Sequence, residues 1–401
     1  MASFIASLDV GTSSCRCYIL ASDTVEVITF HQLEYKLDFP KHGWVEQDAQ
    51  EVLDKAKECI EQACEKLIQL GHSPKQIKAL GITNQRETLV IWSKATGKPI
   101  RPAIVWSDNR TTNLVEEIKE TLPGGKDDVI RFKTGLSLNP YFTGPKFLWL
   151  MKNDDEVNAS VLNKECLVGT VDSWLLYGLT GKHCTDVSNA SRTLFMNINT
   201  LKYDEHLLEI FNVPEDVLPE IRSSSEIYGY ITNGHLKGVP VSGMLGDQQS
   251  SLFGHMAFQP GQCKTTYGTG CFLLCNIGEK PIYSEEGLLT TVAYQLGPNA
   301  RASYAFEGAV AVAGAGITWL KDNLKIANTP AEIEKLASEV EDSDCAFVPA
   351  FSGLYCPYWE PKAHGIISGL SYSITHKHLA RAALEAGMYS NIFFFHYQHK
   401  V

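Results

Sequence analysis

Leu8-Asp9-Val10-Gly11-Thr12-Ser13-Ser14-Cys15-Arg16 lies between two apolar runs, Phe4 to Leu8 and Cys17 to Ala21. Both runs are too short for helices and are bounded by turn residues, which predicts a β-hairpin with small residues at its tip. Gly11, Thr12, Ser13 and Ser14 carry no bulky side chain, so backbone N–H groups and three hydroxyls can converge on one phosphate. Asp9, ending the first strand, stands where a carboxylate can hold Mg²⁺ through water, since hard cations take oxygen ligands. A solvent-facing turn accounts for the same nine residues.

Outward from the hairpin, Val25 to Leu33 reads as a third strand. Asp48, with Glu51 three residues on, predicts a capping box. Val52, Ala56, Ile60, Ala63, Leu67 and Leu70 then recur at helical spacing until Gly71. Ile77 to Thr83 supplies a buried strand with Asn84-Gln85-Arg86-Glu87 at its carboxyl end, where ligands collect in open α/β sheets; a solvated turn fits these four equally. Ala103 to Arg110 reads as another short strand that ends in a polar cluster, with Trp106 an apolar wall or a core residue and Asp108 a carboxylate. Tyr141 to Leu150 passes from loop into helix, and Asp186 to Arg192 is expected to be a polar loop.

Further on, Gly246 permits close backbone approach, and Asp247 sits in apolar-flanked company that raises a carboxyl pKa and suits a general base. A plain Gly-Asp turn is the alternative. Lys264 to Gly270, followed by the apolar run Cys271 to Ile277, repeats the opening pattern, so a duplicated fold clamping one ligand between its halves is expected. Ala309 to Leu324, interrupted by Gly314 and Gly316, predicts a helix whose small face admits a nucleotide or another backbone; plain tight packing explains the glycines equally well.

Composition bounds these readings. A length of 401 residues, 44% of them hydrophobic and 20% charged, predicts roughly two or three globular domains. A net charge of −11 argues against nucleic-acid binding, which relies on basic surface. Eleven cysteines, an odd number without a C-x-x-C pair, point to reduced thiols in the cytosol rather than disulfides or zinc. The start lacks the pattern of a signal peptide. No apolar run approaches the ~20 residues of a transmembrane segment.

In this order the motifs resemble those of the FGGY carbohydrate kinases, from about Ser7 to Ala386. The resemblance is carried by Gly43 to Asp48, Asn84 to Thr88, Asp172-Ser173-Trp174, Gly246-Asp247-Gln248, Tyr267 to Phe272 and Pro349 to Leu354. The stretches Tyr141 to Asn153 and Gly365 to Glu385 match the family's two diagnostic segments. It implies an α/β fold of two actin-like, ribonuclease-H-like domains with a cleft between them, the second incomplete. Residues 1–253 would form the substrate and phosphate domain and residues 254–401 a partial nucleotide domain. The activity implied is ATP-dependent, magnesium-assisted phosphorylation of glycerol to sn-glycerol 3-phosphate in glycerol metabolism.

By the same resemblance, Arg86 and Glu87 would bond glycerol hydroxyls, helped by Tyr141 and Gln248, with Trp106 and Phe272 against the carbon skeleton. Asp247 would be the base, Asp9 would serve Mg²⁺, Thr12, Ser13, Ser14 and Arg16 would meet phosphates, and Thr269 and Gly314 would contact bound ADP or ATP. Val10 and Thr318 stand where the family generally carries Gln. After Ala386 the family's Asp-Gly-Gly element and closing helices do not follow, so weakened or absent kinase activity with an intact glycerol site is expected. A cytoplasmic protein is implied, with the mitochondrial outer surface open only to members bearing a tail; homo-oligomerisation is left open. The competing readings are a catalytically silent interaction protein derived from such a kinase and a kinase for another polyol or sugar.

Overall fold

The computed structural model describes residues 2–341 and 344–398, of which 388–398 are described by backbone alone. The opening hairpin forms as expected: β1 (Phe4–Val10) pairs antiparallel with β2 (Ser14–Ala21), and Gly11 N donates to Ser14 O at 2.9 Å to close the tip. β3 (Val27–Glu34) adds to β2. After α1 (Ala49–Gln69), β4 (Ile77–Asn84) joins β1 in parallel. Asp48 caps α1 by accepting from Gln50 N and Glu51 N, while Glu51 pairs with Lys55 at 3.2 Å rather than returning to Asp48. The helix buries Val52, Ala56, Cys59, Ile60, Ala63 and Leu67 against the sheet, and Gly71 ends it with φ +83°.

A second, antiparallel sheet in this lobe contains β5 (Leu89–Ser93), followed in the chain by α2 (Thr143–Asn153) and by β6 (Cys166–Thr170), which pairs with β5. From β6 the chain enters α3 (Val171–Thr180), buried along most of its length. The stretch from Asp186 to Arg192 departs from the expected polar loop. Its centre is a short helix, α4 (Val187–Ala190), and every residue of the stretch is buried. The misreading has a physical cause, because these polar side chains satisfy one another instead of water. Asp186 accepts from Ser188 N, Asn189 N and the Ser224 hydroxyl, and Asn189 exchanges amide hydrogen bonds with Asn84.

β7 (Pro240–Gly246) completes the parallel part of the first sheet beside β4 and leads into α5 (Asp247–Gly254). Val10, Asn84 and Gly246 are register partners across β1, β4 and β7. The segments that follow these three strands therefore emerge side by side at the carboxyl ends of the parallel strands.

The second lobe is an antiparallel sheet of β8 (Cys263–Tyr267), β9 (Cys271–Gly278), β10 (Leu289–Gln295) and β11 (Ala302–Val310), in the order β8-β9-β11-β10. β8 and β9 repeat the opening hairpin, with Gly268 N donating to Gly270 O. The repeat stops there, since β3 lies beside β2 in the first lobe whereas β11, not β10, lies beside β9 here. β11 pairs with β9 out to Val310, so the helix expected from Ala309 begins only at Gly314, as α6 (Gly314–Asp322). The expectation of reduced thiols fails at one pair. Cys263 and Cys275 face each other across β8 and β9 with Cα atoms 4.1 Å apart and are joined as a disulfide, because opposed cross-strand residues bring their side chains within reach. The other nine cysteines are buried. Among the described residues no helix is long and apolar enough to cross a membrane.

Candidate active site

A cavity of about 430 Å³ opens where the two hairpin tips approach the segments after β4 and β7. Asp9, Thr12, Ser13, Ser14, Arg16, Arg86, Glu87, Trp106, Tyr141, Asp247, Gln248, Thr269 and Phe272 all line it. Of the residues to which the family resemblance gives a role, Gly314 alone does not, and Asn84, Gln85 and Asp108, singled out by position, also lie outside it. Gly314 packs instead against the second tip, its N–H donating to Gly268 O at 2.9 Å, and a Cβ there would lie 2.6 Å from that oxygen. The small face of α6 thus admits a backbone.

The first tip is stiffened from behind. Tyr35 donates its hydroxyl to Gly11 O and to Ser14 O, and Gln47 donates to Thr12 O. The Thr12 hydroxyl accepts from the Trp106 indole N–H at 2.9 Å, which ties the tip to the aromatic wall. That wall comprises Trp106, Tyr141 and Phe272, with Tyr141 and Phe272 edge-on to Trp106 at ring centroid distances of 5.8 Å. Asp9 lies beside Arg16, Oδ2 to Nε 3.4 Å. Burial pushes its carboxyl above the ordinary range, and Arg16 opposes the shift.

Arg86 and Glu87 turn into the cavity at the end of β4. Glu87 has φ +58°, with Thr88 N donating to Arg86 O across it. Holding a non-glycine residue there costs on the order of 1–3 kcal/mol and marks a conformation fixed by its surroundings. Arg192 supplies that restraint, its Nε donating to Glu87 Oε1. Gly246 makes room for Arg86, because a Cβ at 246 would lie 2.7 Å from Arg86 Cδ.

Asp247 heads α5 with about a third of its side chain open to the cavity, 3.4 Å from Arg86 Nε. Burial raises its pKa, and Arg86 and Lys264 act against the rise. The result is a carboxylate more basic than one in water, as proton abstraction requires. Gln248 Oε1 accepts from Lys264 Nζ, which leaves the Gln248 amide N–H groups as the end free to face a ligand. Burial brings the Lys264 ammonium down to about 8.

Several groups around the cavity were not found from the sequence. Glu307, fully buried in β11, takes both ends of the Arg86 guanidinium at 2.6 and 2.9 Å, and Arg192 at 3.0 Å. A lone acid inside the apolar run Tyr304 to Val310 was the available signal. Lys264 was read only as part of the second hairpin and Arg192 as part of a loop. Thr83 presents a buried hydroxyl at the cavity without a hydrogen-bond partner.

For Mg²⁺ the donor set is suitable. No cluster of three or more metal-ligating side chains occurs among the described residues, but Mg²⁺ at phosphate sites takes one or two carboxylates, water and phosphate oxygens. Asp9 and Asp247 line one cavity, and each is destabilised as an anion by burial.

Comparison with known proteins agrees with this geometry. The N-terminal domain of the FGGY family of carbohydrate kinases matches residues 4–254 and its C-terminal domain residues 263–391. The chain is 47% identical to a probable glycerol kinase of Caenorhabditis elegans over 384 residues, covering 95% of this chain and 76% of that one. It is 48% identical to glycerol kinase 2 of Streptomyces avermitilis over 391 residues, 96% and 75% of the two chains. The crystal structure of Plasmodium falciparum glycerol kinase with ADP superposes with a TM-score of 0.83 at 36% identity, over 98% of this chain and 78% of that one. With both domain models matched and relatives this similar over nearly its whole length, the chain belongs to the FGGY family of carbohydrate kinases.

Proposed function

We propose that the chain transfers the terminal phosphoryl group of ATP to a primary hydroxyl of glycerol, giving sn-glycerol 3-phosphate and ADP. The observation that carries this reading is the meeting, in one cavity, of a basic-shifted carboxylate, a polar pair fit for a small polyol, and two glycine-containing hairpin tips. Glycerol is small and polar, so its recognition rests on paired hydrogen bonds rather than apolar area. Arg86 and the Gln248 amide donate, Glu87 accepts, Tyr141 does either, and Trp106 and Phe272 shield the carbon skeleton.

In the reaction the glycerol oxygen forms a bond to the terminal phosphorus, the bond from that phosphorus to the bridging oxygen breaks, and ADP departs with the electron pair. Asp247 takes the hydroxyl proton as the new bond forms. Phosphoryl transfer asks the protein chiefly for alignment and for donors around spreading charge. Thr12, Ser13, Ser14, Arg16 and Thr269 supply such donors, with Gly314 supporting the second tip. Asp9, with Asp247, would hold Mg²⁺, which neutralises phosphate charge when bound. Residues 1–253 then act as the substrate and phosphate domain and residues 254–401 as the nucleotide domain, in a cytoplasmic protein.

The test is ADP release in a coupled assay with glycerol, dihydroxyacetone, xylulose and gluconate, alongside calorimetric glycerol binding. Turnover with glycerol well above the other three is expected. Turnover confined to a sugar, or no glycerol binding at millimolar concentration, overturns the reading.

A further inference from the structure

Arg86 has five N–H donors, and four are committed within the protein. Nη1 bonds Glu307 Oε2 at 2.6 Å and Gln249 Oε1 at 3.2 Å; Nη2 bonds Glu307 Oε1 at 2.9 Å and the Tyr141 hydroxyl at 3.2 Å. Only Nε remains, 3.4 Å from Asp247 Oδ1 and 3.8 Å from Glu87 Oε1. The guanidinium therefore offers the cavity its Nε edge, between two carboxylates, while its fork is turned toward the second lobe.

Glu307 sets that orientation. Its strand is held on both sides, since Glu307 is the register partner of Leu274 on β9 and of Leu289 on β10, so its carboxylate is fixed by a sheet rather than a loop. Two guanidiniums outweigh the burial that would otherwise neutralise it, and its pKa falls below the ordinary value. Arg86, Arg192, Glu87 and Glu307 form a buried cluster of balanced charge in which three members come from the first lobe and one from the second. In such a cluster removal of one partner leaves an uncompensated charge, so each geometry depends on all four.

We infer that Glu307 is a positioning residue for the polyol site, a carboxylate from the nucleotide-side lobe that turns the Nε edge of Arg86 toward the substrate. The inference rests on the glycerol reading above. Its consequence is that glycerol affinity depends on the docking of the second lobe, although Glu307 itself does not line the cavity.

The experiment is calorimetric glycerol binding by the full chain and by Glu307→Gln, with thermal melting followed by circular dichroism. Glu307→Gln is expected to weaken glycerol binding at least about tenfold, the scale of one lost charge-assisted hydrogen bond, while a cooperative melt is kept. Glu307→Asp, which keeps the charge, recovers part of the loss. Should the single variant not fold, Glu307→Asp is the second variant: it keeps the charge balance, and a carboxylate drawn back by one methylene is expected to weaken glycerol binding severalfold. Unchanged glycerol affinity in a folded variant overturns the inference while leaving the glycerol reading intact. Absence of glycerol binding by the unaltered chain overturns both. Failure of both variants to fold assigns Glu307 to folding rather than positioning and also overturns it.

Discussion

Replacing Gly246 by Ala isolates the placement of Arg86 from every other property of the site. Gly246 has φ −59° and ψ 149°, a conformation open to alanine, so the substitution carries no backbone penalty. The added methyl would stand 2.7 Å from Arg86 Cδ, 2.8 Å from Cγ and 2.9 Å from Gln249 Oε1. Carbon contacts settle near 3.5–4.0 Å, so Arg86 must retreat by roughly 1 Å. The bond from Nη1 to Glu307, now 2.6 Å, would then stretch past useful length. One such bond to a charged group is worth about 1.5–3 kcal/mol, and a misplacement of about 1 Å at a reacting centre costs on the order of 100-fold. Both routes predict a drop in kcat/KM for glycerol of about 10- to 100-fold, read by coupled ADP release, with a matching loss in calorimetric affinity. Gly243→Ala is the control on the same strand, because its Cβ meets nothing closer than 3.9 Å and near-normal activity is expected. If Gly246→Ala stays within threefold of the unaltered chain, Arg86 does not govern substrate placement as argued.

Asp247→Asn is expected to lower kcat by about 10²- to 10⁴-fold, the contribution of a positioned base, with glycerol affinity changed little; near-normal turnover would remove Asp247 from that role. The pH profile of kcat/KM between 5 and 10 should be bell-shaped. Asp247 must be ionised, and since burial raises its pKa, activity falls on acidification at a pH above the ordinary carboxylate value. Lys264 holds Gln248 best as an ammonium and sits at about 8, so activity falls again as pH rises through 8; Lys264→Met should abolish that alkaline limb. Gly314→Ala drives a methyl against Gly268 O and should raise the KM for ATP several-fold while the glycerol affinity is kept, as steady-state kinetics and calorimetry would separate.

The sequence disclosed those parts of the site that sit next to their strand in the chain. Gly11 to Ser14, Arg86 and Glu87, and Asp247 each follow a short apolar run, and register brings the ends of β1, β4 and β7 together. A reader of the sequence needs only the rule that ligands gather beyond parallel strand ends to find them. What the second lobe contributes obeys no such rule. Glu307 and Lys264 lie within strands, and their partners Arg86 and Gln248 are 221 and 16 residues away, separations that periodicity does not encode. Asp186 to Arg192 failed for a related reason, since polar composition reports what a side chain requires and not whether water or another residue supplies it.

Charge within a strand is nonetheless informative once topology is known. β11 lies between two strands and Glu307 on it is wholly buried, so its carboxylate must be met by cations from another element. Arg86 and Arg192 meet it; both are themselves buried, Arg86 lines the cavity and Arg192 holds Glu87, which also lines it. A buried acid on a central strand therefore points to the place where the two lobes are coupled, and here that place lies directly behind the cavity, through Arg86.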